Sequence, residues 1–267
     1  MNYTRTSLKV NKQHLKKEPK ISIIIPTYNE EKYIKSTLLA VKNQKCTFSY
    51  EIIVVDGQSS DNTIDIAKNY GKVYISEEKG KVAQLNFSIT KANSDLILFL
   101  DADTLILDTL FLQKIYRKFQ NNGNLFACSA RFKYHNGHWL SFNLGPYKFI
   151  ITRFIFINIF SHLWYFFKDL FGYPELTGMN LMVRKDIFNK VNGFKKPPNS
   201  LGIDKTFSDS VLYLTKLLNR GKVKTLNLLS VLTSSRHLTM ERSLKRIRQY
   251  FSEKETYHNL AKESVDL

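Results

Sequence analysis

Cysteine is nearly absent: Cys46 and Cys128 are the two in 267 residues, in neutral or apolar surroundings and without metal-type spacing. That excludes a disulfide framework and a structural zinc site, and a reducing compartment is expected. No clean run of the about 18–20 apolar residues needed for a membrane-spanning helix is present. The most apolar stretch, residues 147–173, is interrupted by Arg153, Asn158, His162 and Lys168. Residues 1–20 are polar and basic without an apolar core, which predicts a flexible basic tail rather than a signal peptide or anchor. No glycine-rich phosphate loop follows the first apolar run, which argues against a nucleotidyltransferase built on one. Acidic residues are scarce, 23 Asp and Glu against 40 Lys and Arg, for a formal net charge of +17. Such an excess points to an anionic partner: a phosphorylated ligand, a membrane surface or nucleic acid.

What is present is a core-forming composition, 43% hydrophobic and 13% aromatic, in a chain long enough for one large α/β domain. From Ile21 onward short apolar runs alternate with longer amphipathic ones, the pattern of repeated β–α units. ISIIIP (21–26), EIIVVD (51–56), VYISE (73–77) and LILFLD (96–101) are the predicted strands. Their mostly continuous apolar character suits strands covered on both faces of a parallel sheet. The intervening EEKYIKSTLLAVKN, NTIDIAKNY and KVAQLNFSITKA space their apolar residues as helices packed on that sheet. Right-handed crossovers then align the strand C-termini along one edge, where open α/β sheets bind ligands.

Polar residues follow those strands: Pro26 to Glu30 after the first, Asp56 to Asp61 after the second, Asp101 and Asp103 after the fourth. Asp56 and Asp61 also suit turn formation or helix capping. Asp101 and Asp103 are harder to explain as structure, because two carboxylates one residue apart repel unless positive charge lies between them. A hard divalent cation, Mg2+ or Mn2+, is the economical partner. Nucleic-acid binding is disfavoured, since carboxylates at successive strand ends would repel phosphates in the absence of a metal.

The segments IIIPTYNEE, IIVVDGQSSDNT, KGKVAQLNFSITKANSDLILFLDADT, TGMNLMVRKDIFNKVNGF and SDSVLYLTKLLNRG occur in the order found in family 2 glycosyltransferases of the GT-A fold, which this chain resembles over most of residues 21–222. The resemblance implies a GT-A, Rossmann-like α/β fold: a mostly parallel sheet flanked by helices, with a helical acceptor-side region and a C-terminal amphipathic helix. It divides the chain into the tail 1–20, a single catalytic domain 21–235 and a C-terminal basic helix 236–267. Within the domain, 21–130 is the nucleotide-sugar half and 131–235 the acceptor half. It implies that Pro26, Tyr28, Glu30, Asp56, Lys79, Lys81, Asp101, Asp103, Thr177, Gly178 and Arg236 bind the nucleotide sugar, with Asp56 accepting from the base. Asp103, Asp101 and His237 are the implied ligands of Mg2+ or Mn2+. Asn86 matches a family helix position where packing is an equal alternative.

The implied reaction is inverting, metal-dependent transfer of a sugar from a nucleotide-diphosphate donor, UDP foremost, to an acceptor hydroxyl. An alcohol needs a base within reach, and the family carries it in a Glu-Asp pair. Here Ser208-Asp209 stands at that point, so Asp209 is the expected base and Asp204 a nearby substitute. The acceptor is expected to be a glycan, a polyprenyl phosphate or a lipid-linked saccharide. Residues 147–173 suit a helix in the membrane interface, a buried helix at the acceptor site or a dimer contact. Residues 239–258 suit a basic amphipathic helix that meets anionic lipid or packs on the domain. Together they predict a cytoplasmic protein peripheral at the inner membrane face. A non-catalytic sugar-nucleotide sensor and a membrane-surface binding module are the competing classes.

Overall fold

A computed structural model describes residues 18–135, 140–145, 147–151, 154–196, 202–236 and 254–265. The first half is a β–α alternation: β1 (Ile21–Thr27), α1 (Ile34–Lys42), β2 (Tyr50–Asp56), α2 (Thr63–Lys68), β3 (Lys72–Ile75), α3 (Lys81–Ile89) and β4 (Leu96–Leu100). Continuous apolar runs become strands here because both faces are covered. Ile23 and Ile25 pack with Leu38 and Val41 of α1, whereas Ile24 packs on the other side with Leu85 and Ile89 of α3. The alternation of side chains along a strand thus feeds two cores, one on each face.

The second half comprises β5 (Thr104–Leu105), α4 (Phe111–Gln120), β6 (Leu125–His135), β7 (Leu140–Leu144), β8 (Tyr147–Ile151), α5 (Phe154–Leu170), β9 (Asn180–Arg184), α6 (Lys185–Lys190), α7 (Ile203–Leu217), β10 (Lys222–Ser234) and α8 (Lys254–Glu263). The main sheet runs β3-β2-β1-β4-β9-β6-β10-β5, and β7 and β8 form a separate hairpin. β1 is parallel to β2 and β4, β2 to β3, and β10 to β6, while β9 runs antiparallel to both β4 and β6. The C-termini of β1, β2, β4 and β10 therefore share one edge with the N-terminus of β9. This topology brings residues as distant as Pro26, Asp101, Gly178 and Arg236 to the same rim.

One expectation changes. The apolar segment 147–173 is not one helix: its first residues pair with β7 as β8, and the helix starts at Phe154. The run YKFII is rich in aromatic and β-branched residues, which fit a pleated surface. Of the predicted C-terminal helix, residues 237–253 lie outside the described residues. The described remainder, α8, packs on α7: Ala261 and Ser264 are buried, and the Ser264 and Ser210 hydroxyls hydrogen-bond at 2.7 Å.

Candidate functional site

The loops after β1 and β2 are fastened to each other before they meet any ligand. Asn29 and Gln58 adopt left-handed backbone angles, φ 54° and 70°. Asn29 N–H donates to Ser59 Oγ and its Oδ1 accepts from Ser60 N–H, both at 2.8 Å. Glu30 N–H donates to Thr63 Oγ1, and Asp61 accepts from the N–H groups of Glu31 and Thr63. Asp61 stands one residue ahead of the N-cap Asn62 and shapes the turn into α2 rather than capping it. Gln84 of α3, buried, donates to the carbonyls of Thr27 and Val55 at 2.7 and 2.8 Å and fixes both strand ends. A Cβ on Gly57 would stand 3.0 Å from that amide, so this position is kept bare for Gln84. Sequence patterning did not single out Gln84, because a buried amide on a helix face carries no motif.

Those loops wall a cleft of about 750 Å3 that is also lined by Lys79, Lys81, Asp101, Asp103 and Arg236. Lys81 Nζ lies 2.6 Å from Asp101 Oδ1. Burial works against its ammonium, yet Asp101, Asp204 and Asp103 hold it charged and raise its pKa above the ordinary lysine value. Arg236 Nε lies 3.3 Å from Asp103 Oδ2, its Nη2 pairs with Glu30, and its guanidinium carbon stands 4.8 Å from the Tyr33 ring centroid. Burial first and the Asp101 charge second push Asp103 up to about 6, against the pull of Arg236. Thr37 Oγ1 donates to the Ala102 carbonyl at 2.7 Å, tying the acidic loop to α1.

On the rim beside Lys81, the N-terminus of α7 presents Asp204. A Cβ on Gly178 would fall 2.2 Å from Asp204 Oδ1, so the carboxylate packs directly on a glycine backbone and accepts its N–H. Burial raises the Asp204 pKa, Lys81 opposes the rise and Asp101 adds to it. The close approach expected at Gly178 is therefore made by Asp204. Thr177 is buried, its N–H donating to Ser129 Oγ at 3.3 Å.

Several expected site residues are placed elsewhere. Asp56 is fully buried, its carboxylate accepting from Thr27 Oγ1, Ser59 N–H and Ser59 Oγ at 2.6–2.8 Å. It shapes the loop and does not face the cleft. Asp209 is ion-paired with Lys205 and lines a different cleft, with Trp164 and Glu175. Ser208, which stands where the family has an acid, is buried, accepting from Leu176 N–H and donating to the Asp204 carbonyl. A hydroxyl there anchors the strap before β9 to α7. Asn86 clamps Phe194 through its N–H and carbonyl, both at 2.9 Å, a packing role. His237 lies outside the described residues.

The acidic pair fits a divalent cation by its donor chemistry. Asp101 and Asp103 offer hard oxygens to one cleft, and the buried Glu30 Oε2 lacks a hydrogen-bond partner. Among the described residues no group of three or more His, Cys, Asp or Glu is disposed as a metal cage. A cation here would therefore take one or two protein carboxylates and complete its shell from water or ligand oxygens, as Mg2+ commonly does.

Comparison with known proteins bears on the fold and the family. S. aureus TarS residues 1–349 with UDP superposes with a TM-score of 0.60 at 20% identity, over 93% of this chain and 67% of that one. Glucosyl-3-phosphoglycerate synthase from Mycobacterium tuberculosis, with Mn2+, UDP and glucosyl-3-phosphoglycerate, gives 0.64 at 15% identity over 90% and 80%. These likenesses establish the fold. By sequence, the probable glycosyltransferase YdaM of Bacillus subtilis is 28% identical over 197 residues, 68% of this chain and 44% of that protein. The chain spans less than half the length of the curated relatives it matches. The family model "Glycosyl transferase family 2" matches residues 22–191, well over half of the chain. The chain belongs to glycosyl transferase family 2.

Proposed function

We propose that this chain transfers a sugar from a nucleoside-diphosphate sugar to an acceptor hydroxyl, with inversion. The observation that carries the reading is the cleft where Lys81 and Arg236 meet Asp101 and Asp103, with the half-buried acid Asp204 near enough to Lys81 and Asp101 to feel both charges. Asp204 takes the acceptor proton, the freed oxygen attacks the anomeric carbon, and the bond to the diphosphate breaks. Lys81, Arg236 and the exposed Lys79 receive the charge that collects on the departing diphosphate. A divalent cation held by Asp101 and Asp103 would supply further charge neutralisation to that leaving group. UDP is the first donor to test and GDP the second: TarS is described with UDP, and a Pyrobaculum calidifontis mannosyltransferase with GDP-mannose and Mn2+.

The test is thermal stability against a panel of UDP-, GDP- and TDP-sugars with and without Mn2+. A ligand that binds only the folded chain, at a hundred times its Kd, stabilises it by about 2.7 kcal/mol. At least one donor is expected to do so with Mn2+, and Asp103→Asn to remove the metal-dependent share. Silence from every donor would overturn the reading. Donor hydrolysis that disappears in Asp103→Ala excludes a mere sugar-nucleotide sensor.

Peripheral attachment to a membrane is the second part of the proposal. No described helix is long and apolar enough to cross a bilayer. Yet Ile159, Leu163, Phe166 and Leu170 recur at helical spacing along α5 with 47–66% of their surfaces exposed. The stripe, with a chain of net charge +17, suits shallow insertion into an anionic surface facing the cytoplasm, where a lipid-linked acceptor would be presented. The chain is expected to co-sediment with phosphatidylglycerol vesicles. Replacing Leu163, Phe166 and Leu170 by serine should lower that binding tenfold or more. Equal binding by the triple variant would remove the stripe from the account.

A further inference from the structure

Arg236 is held more firmly within the donor cleft than a side chain waiting for phosphate needs to be. The register of β10 on the short strand β5, Thr233 opposite Thr104, carries the chain past Asp103 as it leaves the sheet. There the guanidinium forks: Nε reaches Asp103 Oδ2 at 3.3 Å, and Nη2 pairs with Oε1 of Glu30, 206 residues away in the chain. Its central carbon stands over the Tyr33 ring, 4.8 Å from the centroid. Glu30 and Tyr33 belong to one turn ahead of α1, in which the Tyr33 N–H donates to the Glu30 carbonyl at 2.9 Å. A single turn thus grips both the edge and the face of the guanidinium.

The charges in this corner do not balance. Lys81 is paired with Asp101. Among the described residues, Arg236 is the cation in ion-pair range of both Asp103 and Glu30, whose side chains are 11% and 13% exposed. Glu30 Oε2 is buried without a hydrogen-bond partner. One positive charge against two nearly buried carboxylates leaves an excess negative charge that is costly to keep from water.

A divalent cation bonded to Asp103 would restore neutrality beside that pair. It would also stand next to the guanidinium, with the same sign of charge, and the two would repel. Exchange is therefore favoured over sharing. The released guanidinium has a destination, because the donor diphosphate carries the planar oxygen sets that an arginine fork matches.

We propose that Arg236 has two stations: paired with Asp103 and Glu30 it takes the cation's place, and a divalent cation exchanges it onto the donor diphosphate. Glu30 and Tyr33 are the positioning residues of the first station. The proposal rests on the transfer reading, with Asp103 at the cation site. It makes cation and donor bind cooperatively, since the donor draws off a competitor of the cation and the cation frees a ligand for the donor.

The test is Mn2+ affinity in the absence of nucleotide, followed by the loss of the free-ion paramagnetic resonance signal, a readout independent of turnover. Arg236→Gln is expected to bind Mn2+ about tenfold or more tightly than the parent. Tyr33→Leu, which takes away the ring and leaves the charges, should shift the affinity the same way by less. Lys79→Gln removes an exposed charge from the same cleft without touching Asp103, and its effect should be much smaller. UDP affinity is then measured by calorimetry in chelator and in saturating Mn2+. The factor by which Mn2+ tightens UDP should be several-fold smaller in Arg236→Gln than in the parent.

Equal or weaker Mn2+ binding by Arg236→Gln would overturn the proposal. So would an equally large effect of Lys79→Gln, which would reduce the result to the net charge of the cleft. An unchanged UDP factor would overturn the second station. Failure of the transfer reading looks different: the parent would then bind no nucleotide sugar, with or without Mn2+, whichever residue stands at 236.

Discussion

Replacing Asp204 by asparagine is expected to lower turnover on the order of 10³-fold, while Asp209→Asn lowers it less than about tenfold. The two residues share α7 and differ in what they face. Asp204 packs on Gly178 and is felt electrostatically by Lys81 and Asp101, whereas Asp209 is engaged with Lys205 beside the aromatic rings. Asparagine can still accept the Gly178 N–H, so the packing is retained while the proton-accepting capacity is lost together with one of the charges facing Lys81. A 10³-fold effect corresponds to about 4 kcal/mol of barrier. Single-turnover rates at saturating donor and acceptor measure it directly. The reverse ranking, with Asp209→Asn the more damaging, would return the base to Asp209.

The same assignment fixes the sign of a pH dependence. Asp204 must be ionised to accept a proton, and burial raises its pKa above the ordinary carboxylate range. The rate should therefore climb with pH through a limb displaced toward neutrality, and that limb should be missing from the residual activity of Asp204→Asn. A limb that survives unchanged in the variant belongs to another group.

Much of the donor side is legible before any coordinates, because its chemistry sits at strand ends and strand ends are marked. LILFL followed by Asp101 and Asp103 places the acids at the rim, and the parallel topology does the rest. What patterning misses is which way a side chain turns. Asp56 reads as a site residue and is buried under Thr27 and Ser59, where its carboxylate accepts one short bond from the end of β1 and two from its own loop. The choice between Asp204 and Asp209 is likewise a matter of helix phase. Five residues turn the chain by about 140°, so both cannot face the same rim. Linear motif order pointed to Asp209. The space under the Asp204 carboxylate, open only because residue 178 is glycine, points to Asp204. The split of 147–173 into strand and helix escaped for a related reason, since a short aromatic run suits either element until its pairing partner is known.

Removal of the Lys81 charge, as Lys81→Met, is expected to destabilise the metal-free protein and to make Mn2+ worth more to it. Lys81 is the cation shared by Asp101, Asp204 and Asp103. Without it those carboxylates face one another, and Arg236 is the counter-charge left beside Asp103. Breaking a fully buried pair costs about 3–5 kcal/mol. Here the side chains of Lys81 and Asp101 are 38% and 25% exposed, so solvent screening reduces the expectation to about 1–3 kcal/mol. The sign with pH follows from the raised pKa of Lys81. Its contribution is complete below the unfolded lysine pKa, hence throughout neutral pH, and is lost only as pH rises through the still higher folded value. Denaturant unfolding in chelator, repeated with Mn2+, reads both parts. A divalent cation at Asp101 and Asp103 would restore positive charge where the ammonium was, so the gap between variant and parent should narrow as Mn2+ is added. Equal stability in chelator would show that the Lys81–Asp101 pair does not hold the rim together, and a gap that Mn2+ leaves unchanged would place the metal elsewhere.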